Sequence, residues 1–227
     1  MTGDHHKLYL VLESGQMKTF ASALDWPGWS RAGKKTAEAA FEEFFGYRER
    51  YNQVVALAGV DPIGDEVMVE VVDRLPGDAA TDFGVPVMVH AVEHEAMSEA
   101  ECEHQVALLQ ACWAFFDQVA AKVSPELRKG PRGGGRDRDQ IIAHVIECEP
   151  GYARYLSLKL PLAAIDDAKA IRAQREAIVD ALREHGPNGE IAGKKWPVRY
   201  TIRRMAWHVL DHAWEMQDKD LSGKAAS

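Results

Sequence analysis

The fold of the C-terminal half is decided by one stretch, PVRYTIRRMAWHVLDHAWEMQD at residues 197–218. Apolar residues recur in it at helical spacing and define one face of a helix. They are Val198, Ile202, Met205, Val209, Ala213 and Met216. His208 and His212 lie beside this face, four positions apart, so their imidazoles stand one helical turn from each other. The pattern predicts a helix at the edge of the core whose two imidazoles can share one metal ion or one substrate.

A second run, residues 139–156, repeats this arrangement. Its apolar stripe consists of Ile141, Val145, Cys148, Tyr152 and Leu156. His144 lies at the edge of that stripe, so packing of the two helices would bring three imidazoles together. Such a set leaves coordination positions open, as in catalytic metal sites. The alternative remains open that His144 only hydrogen-bonds a neighbour and that the C-terminal pair is solvated.

Cys148 follows His144 by one helical turn. It can serve as a soft fourth ligand, but we favour a small buried apolar role for it.

Two further helices complete a predicted four-helix bundle. Ser98 is a good N-cap for a helix to residue 123, and a third helix is expected over 166–185, before a Gly-Pro breaker. The last helix also carries a second apolar stripe, formed by Tyr200, Trp207 and Trp214. This stripe predicts either contact with the N-terminal half or the seam of a homodimer.

Two segments resemble a known family. The strings IIAHVIE at 141–147 and RRMAWHVLDH at 203–212 resemble the second and fourth helices of the DinB-like superfamily, over roughly residues 96–218. The resemblance implies an up-down four-helix bundle, usually dimeric, in which His144, His208 and His212 bind a divalent metal. It also implies, for the characterised branches, S-transferases and isomerases that use low-molecular-weight thiols.

The N-terminal half predicts a smaller layer of strands and one helix. Strand-like runs occupy 8–13, 19–24, 66–73 and 85–92, and a helix is expected over 36–58. The resulting β-β-α-β-β order predicts a small antiparallel sheet with one helix packed on it. We therefore expect an α+β protein with a first domain at residues 1–95 and the bundle at 96–227.

The N-terminal half also carries a resemblance. ALDWPGWS at 23–30, followed by Gly33 and TAEAA at 36–40, resembles the HicB-like antitoxin domain over about residues 7–92. Members of that family bind a small toxin and often carry a DNA-binding segment, whose place is taken here by the bundle. The resemblance therefore implies a recognition or dimerisation module.

One short motif argues for a different chemistry. HAVEH at 90–94 matches the HxxEH pattern of inverted zinc peptidases, which needs a helix. The β-branched run before it predicts a strand instead, so we do not expect a peptidase.

Composition narrows the class of partners and the compartment. The formal net charge of −8 argues against nucleic-acid binding. No apolar run is long enough for a membrane span, and no signal peptide is recognised. The three cysteines form no CxxC pair and suit a reducing compartment, so a cytoplasmic location is expected.

These features together predict a metal-dependent protein that acts on a small electrophile. Zn, Ni or Mn would be held by the three histidines and would activate a thiol or water, giving a transferase, isomerase or hydrolase. Glu147, Asp211 and Glu215 are candidates to orient the imidazoles, and Arg204 is a candidate to pair with an anionic substrate. The alternative is a non-catalytic interaction protein in which the metal is structural.

Overall fold

A computed structural model describes residues 7–131 and 133–222. The N-terminal half contains strands β1 (Lys7–Ser14), β2 (Lys18–Ala23), β3 (Ser30–Lys34) and β4 (Met68–Pro76) and helices α1 (Ala37–Gly46), α2 (Arg48–Leu57) and α3 (Ala79–Phe83). The C-terminal half contains the long helices α4 (Glu99–Lys122), α5 (Arg138–Ala153), α6 (Ala168–His185) and α7 (Val198–Lys219). The predicted α+β class, a sheet followed by a bundle of four long helices, is confirmed.

The sheet has the order β3-β2-β1-β4. The pairs β1–β2 and β2–β3 are antiparallel as expected, whereas β4 pairs parallel with β1. The reason is the connection between β3 and β4, which contains two helices. It carries the chain across the sheet to the edge next to β1, where β4 runs in the same direction as β1. The bulge at this pairing, where the register shifts between Leu10 and Val11, falls on the edge of the sheet.

Strand β3 was not predicted, because its sequence SRAGK has no apolar alternation. Its Gly33 is needed for packing, since a Cβ there would lie 2.2 Å from backbone atoms of Ala39 in α1. The helix expected over 36–58 is divided at Tyr47, which leaves the helical region and serves as the cap between α1 and α2.

An aromatic stack forms the core beneath the sheet. The Trp29 ring lies between Phe44, at 4.1 Å between centroids, and Tyr51, at 5.2 Å. The Trp29 indole N–H donates to the Phe44 carbonyl, and the Tyr51 hydroxyl donates to the Pro27 carbonyl. The string at 23–30 is therefore a buried loop that is held by side-chain hydrogen bonds.

The strand expected over 85–92 is wrong. Ala91–His94 is a short 3-10 helix, and the residues before it form no ladder. The backbone N–H groups of Val87 and Met88 donate instead to the Glu13 carboxylate, and the Met88 carbonyl accepts from Arg203 of α7. Since buried side chains satisfy this backbone, its β-branched composition does not make it a strand.

Helix α7 lies between the two halves of the molecule. It packs against α4, α5 and α6 within the bundle. On its other side the Trp207 ring meets Phe20 at 6.4 Å between centroids, Trp214 meets Tyr47 at 4.9 Å, and the Tyr200 hydroxyl donates to the Val87 carbonyl. The second apolar stripe is therefore covered by the N-terminal half of the same chain.

Among residues 7–131 and 133–222, no helix combines the length and the apolar character that a membrane crossing requires.

Candidate metal centre

Two facing helices supply the histidines of the candidate site. Helix α5 carries His144, and α7 carries His208 and His212. The centroids of the three rings are 5.1 Å apart for His144 and His208, 4.9 Å for His144 and His212, and 4.8 Å for His208 and His212. The three rings that the sequence predicted as ligands thus lie together, whereas the group of donor atoms within 4.8 Å of one another consists of His144, Cys148 and His208.

The nitrogen spacing fits two ligands of one ion. His144 Nε2 and His208 Nε2 are 3.2 Å apart. Two nitrogens that each lie about 2.0–2.1 Å from one ion are separated by roughly 2.9 Å in an octahedral site and roughly 3.4 Å in a tetrahedral one. The observed separation lies between these values, so the rings can accept a first-row divalent metal with little movement.

A carboxylate holds the third histidine. His212 Nδ1 lies 2.8 Å from Glu215 Oε2, and Lys219 Nζ donates to Glu215 Oε1 at 2.5 Å. The hydrogen bond from His212, together with Lys219, lowers the pKa of Glu215 to about 2. An ionised carboxylate at Nδ1 fixes the tautomer in which Nε2 has its lone pair free for a metal. Glu215 therefore has the orienting contact that was predicted for it.

Cys148 adds a soft donor to the same place. One atom each from His144, Cys148 and His208 lies within 4.8 Å of the others, and this cluster could hold a metal ion. The Cys148 sulfur is 4.0 Å from His144 Nδ1, the nitrogen that does not face His208. Burial raises the pKa of the Cys148 thiol, so the group is protonated unless a cation binds to it.

Burial favours the neutral form of His144 and His208. Burial lowers the pKa of His208 well below its ordinary value, and the neighbouring His212 and Arg204 lower it further. Burial and His212 likewise lower the pKa of His144. Neutral imidazole is the form that binds metals, so the site needs no deprotonation of His208 at neutral pH.

Arg204 stands at the edge of the histidine cluster. Its guanidinium carbon is 4.5 Å from the Trp207 ring centroid and 5.9 Å from that of Tyr152. The Tyr152 ring in turn meets the His208 ring at 5.6 Å, and Trp196 stacks near Tyr152 at 5.9 Å. This aromatic wall was not predicted, although Tyr152 follows Cys148 by one turn on the same stripe of α5.

The other two candidate orienting residues have different surroundings. Asp211 pairs with Arg31 of β3 at 2.9 Å and so joins α7 to the sheet. Arg31 also lies over the Tyr47 ring at 3.9 Å. The Glu147 side chain is exposed and makes no hydrogen bond within the described part of the chain, and its charge only partly opposes the lowering of the His144 pKa by burial. Of the three acids, Glu215 alone is bonded to a histidine of the cluster.

The HAVEH motif is structural. The Glu93 carboxylate is buried and accepts from Arg203 Nε at 2.6 Å and Nη2 at 2.9 Å. His90 Nδ1 caps the 3-10 helix by accepting from the Val92 N–H, while His94 pairs with Glu190 at 2.6 Å. Because each residue of the motif has its own partner, Glu93 cannot act as the base of a peptidase that uses the two histidines.

Comparison with known proteins gives no assignment. No family model matches this chain, and neither a curated protein nor a solved structure matches it. The DinB-like and HicB-like resemblances therefore remain predictions.

Proposed function

We propose that the chain is a divalent-metal protein of the DinB-like type, with a centre built from His144, His208 and His212. The observation that carries the proposal is the convergence of the three rings, with the two Nε2 atoms of His144 and His208 3.2 Å apart. The fixed tautomer of His212 supports it, because metal-binding imidazoles characteristically donate their other N–H to a carboxylate.

We further propose that the centre is catalytic and acts on a small electrophile as a thiol-dependent transferase, an isomerase or a hydrolase. A bound divalent metal supplies Lewis acidity, which lowers the pKa of a thiol or water. The chain itself presents His144 and His208, whose neutral forms burial favours, and Glu215 holds the His212 ring in place. Tyr152 lies against the His208 ring on one side of the centre, and Trp196 packs beside Tyr152. Zn, Ni and Mn are all candidates for a site of three imidazoles, and a nearby thiol favours Zn or Ni over Mn, because Mn prefers harder oxygen ligands.

Elemental analysis tests the metal centre. Untagged protein, purified without nickel resin, is expected to contain about one divalent metal per chain, because the three rings define one site. His144→Ala and His208→Ala are each expected to lose it. His94→Ala is the matched control, since His94 is exposed and pairs with Glu190 outside the cluster. Metal retained in both cluster variants, or no metal after incubation with Zn, Ni and Mn, would overturn the proposal.

A second candidate function is a non-catalytic interaction protein with a structural metal. Two observations favour it: Cys148 can complete a closed site, and edge strand β4 exposes Met68, Val69 and Val72 by 59%, 40% and 38%. The N-terminal half would then be the recognition or dimerisation module that the HicB-like resemblance implies.

The spectrum of the cobalt-loaded protein separates the two functions. If the centre is catalytic, we expect no cobalt–thiolate charge-transfer band until a small thiol is added and occupies the open coordination position of the cobalt. A band that is present at once and disappears in Cys148→Ala would show a closed site and favour the structural role.

A further inference from the structure

Arg204 differs from the other arginines of its helix in lacking a counter-ion. Arg199 pairs with Glu101 at 3.4 Å, and Arg203 pairs with Glu93 at 2.6 Å. Within residues 7–131 and 133–222, no carboxylate lies within ion-pairing distance of Arg204. Its Nη1 is buried and has no hydrogen-bond partner there. A buried cationic nitrogen without a partner is costly, so a missing partner is the simplest explanation of its position.

The guanidinium is nevertheless held in place. The rings of Trp207 and Tyr152 lie close to it, at 4.5 Å and 5.9 Å from its central carbon. Aromatic faces attract a guanidinium without using its N–H groups. The donors of Arg204 therefore remain available while the side chain is fixed, which is how a preformed anion site is built.

This cation lies next to the histidine cluster. Arg204 precedes His208 by one turn on α7, so their Cβ atoms are roughly 6 Å apart. The Tyr152 ring contacts both side chains, with 5.6 Å between its centroid and that of His208. The charge of Arg204 also acts on Cys148, whose pKa it lowers against the larger effect of burial. One small molecule can therefore reach both the guanidinium and the imidazoles.

We propose that Arg204 is the carboxylate-binding subsite of the centre, and that the site takes small anionic molecules that carry a carboxylate as well as the group that meets the histidines. This inference rests on the proposed function, because it assigns the substrate class of the same site. The carboxylate accepts hydrogen bonds from two N–H groups of Arg204. The rings of Trp207 and Tyr152 hold the guanidinium, and the other end of the molecule faces His144 and His208.

A matched pair of thiols tests the subsite. 3-Mercaptopropionate and 3-mercapto-1-propanol have similar size and the same thiol but differ in charge. Titration calorimetry on the zinc-loaded protein is expected to show roughly 10- to 100-fold tighter binding of the acid, as for a hydrogen bond to a charged group. In Arg204→Gln the preference should fall to about twofold, while the affinity for the alcohol should stay within about twofold of wild type.

The controls separate loss of charge from loss of structure. Arg199→Gln removes a charge from the same helix, from a pair with the half-exposed Glu101, and it should keep the preference. Arg204→Lys should retain part of the preference even if Arg204→Gln unfolds, because the ammonium keeps the charge without the bidentate fork. Equal binding of both thiols to wild type, or an undiminished preference in Arg204→Gln, would overturn the subsite.

The metal content of each sample is measured first, so that the two proposals fail separately. If the zinc-loaded protein binds both thiols equally, the metal-centre proposal stands and the proposed subsite is wrong. If the protein takes up no metal, the proposed function fails, and propionate is titrated into the metal-free protein by ligand-observed NMR. Binding that is lost in Arg204→Gln would then support the anion subsite, and absence of binding to wild type would overturn it.

Discussion

Replacement of Glu215 by glutamine is expected to weaken metal binding about tenfold. The substitution keeps the shape of the side chain but removes the charge that holds the His212 N–H at 2.8 Å and the Lys219 ammonium at 2.5 Å. Loss of such a carboxylate behind a ligating histidine typically costs roughly 10- to 100-fold in affinity, or about 1.4–2.7 kcal/mol. We expect the lower end, because the Glu215 side chain is 23% exposed and water can partly replace it.

Zinc affinity is measured by competition with a chromophoric chelator at constant pH, on wild type, Glu215→Gln and Glu147→Gln. Glu147 is the control because it carries the same charge one turn from His144 but bonds to no described residue. Its replacement should change the affinity by less than about twofold. An affinity of Glu215→Gln within twofold of wild type would refute the reasoning, since it would show that His212 is not oriented by this carboxylate or is not a ligand.

Three further outcomes are expected. The free energy of unfolding of the metal-free protein should fall as pH drops below about 6.5, because the unfolded chain protonates His208 and His144 there while burial in the folded chain disfavours their charged forms. In urea titrations, His208→Gln should reduce this slope by up to about 1.4 kcal/mol per pH unit and leave the part that comes from His144. Glu93→Gln should cost about 3–5 kcal/mol in the same assay, because it leaves the buried Arg203 unpaired, whereas Glu103→Gln at the surface should cost less than about 1 kcal/mol. Cys148→Ala should leave about one metal per chain by elemental analysis, and loss of the metal would make the thiolate an obligatory ligand.

The histidine cluster could be predicted because helical periodicity fixes direction as well as spacing. His208 and His212 stand on one side of a helix whose apolar face must enter the core, and His144 stands at the same edge of its own helix. Packing of α5 on α7 then brings the rings together. The carboxylate of Glu215 follows from the same argument, since it lies three positions beyond His212.

Contacts between distant segments could not be predicted in this way. Asp211 was expected beside the histidines, but its partner Arg31 lies on β3, a strand that has no periodic signal. The run at 85–92 has the composition of a strand, yet the Glu13 carboxylate and the side chain of Arg203 take up its backbone groups. The periodicity of a single sequence shows which face an element buries. It does not show where a buried charged side chain, rather than a neighbouring strand, will bind the backbone N–H and C=O groups of a segment.

The position of α7 between the sheet and the bundle limits how the chain can be divided. A truncation that began at residue 96 would expose Trp207, Trp214 and Tyr200 to water and would leave Arg203 without Glu93. The hydrophobic cluster continues through both halves, from Leu10 in β1 to the ligand-bearing helix. An isolated bundle that aggregated or failed to bind metal would therefore say little about the intact centre. Metal binding and turnover should therefore be measured on a chain that includes the N-terminal half, because that half packs against one side of the helix that carries His208 and His212.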